Sequence, residues 1–221
     1  MKKFSTAVFY IFLCSLFLTA CGEPKISPED SVKAIYDLYI LGETKGVEAL
    51  GMSKEDINAA RTSYEESVKN TIRANFSASG QEIDDKTLEE LCTARKSALS
   101  KLKAVAETTS ESEGKATVVL QTTYLDEADI DKSSFDLARG DAYMQQECTG
   151  TEMMPEELMV FYTRHLIESY EKAEPSKLRK SITVECVIQN DAWVPANMSS
   201  FGSDLALAIT GQDSDDESSQ E

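Results

Sequence analysis

A single histidine, His165, limits the acid/base and nucleophilic chemistry open to this chain of 221 residues. Any Ser-His-Asp or Cys-His arrangement, and any metal site built on imidazole, has to run through it. Leu158, Phe161, Tyr162, His165, Leu166 and Ser169 recur at three- and four-residue spacing, with Val160 and Ile167 beside them, and read as a well-buried helix. A histidine in that stripe is expected to be a packed or hydrogen-bonded core residue. Cys148 as nucleophile with His165 as base is the nucleophilic pair the residues offer, and nothing in the sequence brings the two together. The enzymatic alternative is a cleft hydrolase or isomerase in which His165 works with a nearby carboxylate.

Acids are too abundant for any one pair to signal catalysis, since Asp and Glu number 39. Glu152, Glu156 and Glu157 bracket the start of the His165 helix, where the helix dipole favours negative charge. The run DEADIDKSSFD, Asp126 to Asp136, invites a calcium reading, but counted from Asp129 the glycine position holds Ser134 and the bidentate-acid position holds Gly140. It is read instead as a solvated connection into a helix that packs Phe135, Ala138 and Ala142. No metal or cofactor is expected, and no phosphate-cradling glycine loop is present. Met144, Met153, Met154 and Met159 are expected to fill core, with an adaptable apolar groove as the alternative.

The chain begins with Lys2 and Lys3 followed by an apolar run, Ala7 to Leu18, of roughly a dozen residues where a membrane-crossing helix needs about 20. It reads as a signal peptide. Leu18, Thr19 and Ala20 lead directly into Cys21, and this tetrapeptide resembles the lipobox of bacterial lipoproteins. The resemblance implies cleavage before Cys21 and acylation of its sulfur, a lipid anchor in the membrane, and an extracytoplasmic location. Gly22 leaves an outer membrane open where the cell has one. The formal charge of −17, made more negative by loss of the leader, argues against nucleic acid as a partner.

Beyond Cys14 and Cys21 three thiols remain, Cys92, Cys148 and Cys186, and no two have the short spacing of a zinc or redox motif. Cys92 and Cys186 are expected to be buried and free, with a bridge between them as the alternative.

The surrounding pattern predicts three helices, a hairpin, two helices, a second hairpin and a short final helix. Ser27-Pro28-Glu29-Asp30 and Ser53 to Asp56 are helix starts. Ala104–Thr109 and Ala116–Leu125 read as strands joined by SESEGK, Ile182–Gln189 as a half-buried strand, and Asn190-Asp191 as a tight turn into Trp193 and Val194. This order, with the segments GMSKEDI, GKATVVLQTTYL, MPEELMVFYTRHL and NDAWV behind a lipobox, resembles the Firmicutes lipoproteins grouped as domain of unknown function 5105. That family implies an extracytoplasmic α+β domain and supplies no activity. The element order is also similar to the cystatin-like and NTF2-like group.

The expected architecture is α+β: helices on one face of a twisted antiparallel sheet of about four strands, in one domain over 27–210. A signal peptide over 1–20, a lipidated tether over 21–26 and an acidic disordered tail over 211–221 flank it. The concavity between sheet and helices is the expected pocket, with His165, Tyr162, Trp193 and Tyr124 as candidate lining. The functional expectation is a non-enzymatic, membrane-anchored module of the cell envelope that holds an apolar small molecule, a peptide or an envelope protein.

Overall fold

The computed structural model describes residues 24–151 and 154–212. The leader, Cys14, Cys21, Glu152, Met153 and the tail beyond Gln212 lie outside the described residues.

Helices begin where the chain supplies an oxygen for free amide groups. Ser27 caps α1 (Pro28–Tyr36) by accepting from the Asp30 amide, with Pro28 in the first turn. A π-helical turn, Asp37–Leu41, extends α1 until Gly42 stops it at a φ of 75°. The short α2 (Lys45–Ala49) lies on α1 at Gly46, where a Cβ would stand 2.6 Å from that of Ala34. Ser53 accepts from the Asp56 amide to start α3 (Lys54–Ala78), and Asp84 does the same with Lys86 and Thr87 for α4 (Asp85–Leu99).

The sheet is antiparallel throughout, in the order β1 (Ala104–Ser112), β2 (Lys115–Thr123), β3 (Arg179–Gln189), β4 (Ala192–Pro195). Both hairpins close on two residues with positive φ, Glu113-Gly114 and Asn190-Asp191, the conformation whose twist suits adjacent strands. The first loop is therefore shorter than SESEGK suggested, because β1 continues through Ser112.

Ala116, Val118, Leu120 and Thr122 of β2, with Ile182, Val184 and Cys186 of β3, form the buried face. Two helices cover it, α1 and α7 (Met198–Ile209), and Tyr36 on α1 hydrogen-bonds Thr122 at 2.9 Å. The expected α+β sheet-and-helix packing is present in this layer. The long helices α3 and α4, with α5 (Glu127–Thr149) and α6 (Pro155–Lys172), pack chiefly on one another and continue from one end of the sheet.

Four local expectations change. DEADIDKSSFD is helix rather than connection, since Asp126 accepts from the Asp129 amide and the acids sit at the favourable end of α5. On α5, Ser134 and Ala138 are buried, whereas Phe135 meets Tyr162 of α6 edge-on at the rim and stays 40% exposed. α6 is not sunk in core: Tyr162, Thr163, Leu166 and Tyr170 are buried while Val160 is 68% exposed. Cys92 is only half-buried, because α4 turns Leu88, Leu91, Ala94 and Ala98 inward.

Burial raises the phenol pKa values of Tyr36, Tyr39, Tyr64, Tyr162 and Tyr170, those of Tyr36 and Tyr39 to about 12. Their folded values exceed the unfolded one, so their contribution to stability is complete below about pH 10 and is lost as pH climbs through the folded values. An absorbance titration at constant temperature should show these phenolates appearing together with loss of far-ultraviolet helix signal, rather than ahead of it.

Candidate functional site

The four residues expected to line a pocket do not converge. Trp193 is 4% exposed within the sheet core. Tyr124 is half-buried at the end of β2, its ring under Lys180 at 5.7 Å and its carbonyl accepting from the Ser176 amide. Tyr162 stands between Phe76 and Phe135 and donates to Asp131; burial, then that bond, holds its phenol protonated. His165 is on α6 with Tyr162 but is directed toward α5. The concavity itself is filled, because Val32, Tyr36, Val118, Leu120, Val184, Phe201 and Leu205 share one packed core. That overturns the pocket expected between sheet and helices.

Two polar clusters stand out instead. In the first, Arg95 on α4 pairs with Glu127 in the first turn of α5 at 2.8 Å. The phenols of Tyr64 and Tyr170 lie near enough to act on the same guanidinium, and Tyr170 is close to Glu127 as well. Burial alone would lower the Arg95 pKa, but Glu127 and the two phenols raise it overall, so the cation is retained. Tyr39 stacks edge-on against Tyr64 with ring centroids 5.5 Å apart, tying the cluster to the π-helical turn. It is a satisfied internal network joining α3, α4, α5 and α6.

The second cluster faces solvent. Asp141 on α5 accepts from Arg164 at 2.5 Å, and the same oxygen lies 2.9 Å from His165 Nε2. Arg164 also lies over the Phe161 ring at 4.9 Å. Leu137 and Met144 share the Asp141 face of α5, one turn to either side, and are exposed. Cys148 is exposed and free, about 10 Å along the axis from Asp141 and without a hydrogen bond to His165. Cys92 and Cys186 are free as well, which removes the bridge between them. Glu157 accepts from the Met154 amide and so caps α6. Met154 and Met144 are exposed; Met159 is partly buried.

Among the described residues a hollow runs along one side of α3, past Ser63, Ser67, Asn70 and Ala74, and is open to solvent. Among the described residues no three His, Cys, Asp or Glu side chains are placed to hold a metal ion.

Over residues 19–205 the chain matches the family profile of DUF5105, a domain of unknown function. The chain belongs to the DUF5105 family. A crystal structure of a lipoprotein candidate, ycdA of Bacillus subtilis, has a similar fold, with a TM-score of 0.62 and 21% identity over 82% of this chain. This chain spans about half of that one, 56%. No curated protein matches it. In this DUF5105 member the sequence pointed to His165 but not to Asp141 or to the Arg95–Glu127 pair, whose partners lie 24 and 32 residues apart. The one available signal was Arg95 itself, a charge on the inward stripe of α4.

Proposed function

We propose that this DUF5105 protein is a non-enzymatic interaction module, tethered by lipid on Cys21 outside the cytoplasmic membrane, that holds a protein or peptide partner on the α5–α6 arm. The tether is supported by the Leu18-Thr19-Ala20-Cys21 sequence behind a short charged leader. Among the described residues no helix is long and apolar enough to cross a membrane.

The arm reading is carried by one observation. Leu137, Tyr143, Met144, Met154 and Val160 are each more than half exposed, on two helices whose neighbours are each other and α4. The charge around them selects the partner. Six acids face two bases in α5 and four face two in α6, and Arg164 and Lys172 already pair with Asp141 and Glu168. A partner segment carrying apolar residues interspersed with Lys or Arg complements that surface; a second acidic copy or an anionic lipid face is repelled.

A synthetic amphipathic peptide of leucine and lysine, labelled and titrated by fluorescence anisotropy, should bind, while its leucine and glutamate counterpart should not. Leu137→Ser with Met144→Ser should weaken binding about tenfold with thermal stability unchanged. Undiminished binding by this variant, or binding of the acidic peptide, would remove the arm from the proposal.

The 2.9 Å approach of His165 to Asp141 favours a second reading, an acid/base site. Arg164 competes for the same carboxylate oxygen, which weighs against it. Ester or peptide-bond turnover that His165→Gln abolishes would reverse the order of the two readings.

A further inference from the structure

The connections to and from the α4–α6 helices lie at one end of the sheet, whereas β4 leaves for α7 nearer the other, with Pro195 opposite Cys186. α4 enters β1 at Ala104, β2 leaves for α5 after Thr123, and α6 returns into β3 at Arg179, which is paired with Thr123. The two hairpin turns, Glu113-Gly114 and Asn190-Asp191, lie at the opposite end.

Two side-chain contacts orient α1 between these ends. Tyr36, at its last turn, bonds Thr122, which pairs with Ala104 at the helical end. Glu29, in its first turn, accepts from Thr108, further toward the turns. The N-terminus of α1 is therefore aimed at the hairpin turns, away from α3 to α6.

Cys21 precedes the Ser27 cap by six residues, so a fully extended tether reaches about 20 Å. From the level of Thr108 to Glu113 is five residues of strand, about 17 Å. The turn end is within reach. The tip of the arm is not: α5 starts at the far end and runs 23 residues, about 34 Å, with α6 as its main neighbour.

We infer that the lipid on Cys21 stands the molecule on its two hairpin turns at the bilayer and displays the α5–α6 arm outward. This rests on the lipid tether proposed above. Among the described residues the turn end carries Glu111, Glu113, Lys115 and Asp191 with Ile188 as its exposed large apolar side chain, too small a surface for insertion, so the acyl chains do the holding.

Full-length lipidated protein in phosphatidylcholine vesicles containing an acceptor-labelled lipid tests this by energy transfer. A donor is placed in turn on natural Cys148 near the arm tip, on Ser112→Cys beside the first turn and on Thr183→Cys on the exposed sheet face. All three use a Cys92→Ala background, and the latter two also carry Cys148→Ser. The expected order of donor emission lost is Ser112→Cys most, Thr183→Cys less and Cys148 least. Greatest loss at Thr183→Cys means that the open sheet face lies on the membrane, and greatest loss at Cys148 means that the arm does; either overturns the inference while leaving the tether intact. Vesicle flotation without bound protein overturns the tether and the orientation together.

Discussion

Glu127→Leu is expected to destabilise the fold by about 3 kcal/mol, because it leaves the Arg95 guanidinium charged and unpaired among Tyr64 and Tyr170. The two ionic side chains are 18% and 19% exposed, so water replaces little of the lost partner. Burying a lone cation costs more than the pair ever contributed, and the double replacement Arg95→Met with Glu127→Leu should therefore recover to within about 1 kcal/mol of the parent. Urea unfolding at pH 7 measures both variants through the midpoint, with the slope checked for constancy. The loss should also reach the arm, because Glu127 sits in the first turn of α5. A single-variant loss within a few tenths of a kcal/mol, the range of an exposed ion pair, would show that the cluster is screened by solvent and does not hold the four helices together.

Cys21→Ser is expected to move the protein out of the membrane fraction almost completely. Serine cannot take the thioether, and each methylene withdrawn from the bilayer removes about 0.8 kcal/mol, so loss of the acyl chains leaves nothing of comparable strength. The strongly acidic chain, with formal charge −17 over its full length, offers an anionic membrane no electrostatic substitute. Detergent-phase partitioning combined with intact mass separates the outcomes. The parent should partition into detergent with a mass fitting cleavage before Cys21 plus acyl groups, and the variant should remain unprocessed or enter the aqueous phase. Equal partitioning of the two would end the lipoprotein reading and would leave the arm proposal to be judged on its own peptide titration.

Local chemistry made much of this fold legible before any coordinates. Ser27 with Pro28, Ser53 with Asp56, and Asn190-Asp191 announce their elements because capping and turn formation depend on residues two or three apart. The alternation of Ile182, Val184 and Cys186 likewise required only that one face of the sheet be covered. The acidic run before Phe135 was misread for a related reason: the same acids that solvate a loop also stabilise a helix N-terminus, and only the Asp126 cap distinguishes the two.

The candidate site was less accessible. His165 was visible as a residue, but its environment depends on Asp141 from another helix and on Arg164 beside it. The expected pocket disappeared because α1 and α7 supply enough apolar volume to fill the concave side of the sheet, a matter of summed side-chain packing that no local pattern encodes.

The amino-acid order alone determined most helix and strand starts, the buried face of β2 and β3 and the antiparallel hairpins, but not the start of α5 or the exposure of Phe135, Val160 and Cys92. Tertiary structure decided that Arg95 meets Glu127, that α5 and α6 form an arm with exposed apolar residues, and that α1 is aimed at the hairpin turns. The division follows from range: caps, turns and periodicity act over a few residues, whereas the placement of charges and surfaces is set by which distant segments win the competition to exclude water from one another.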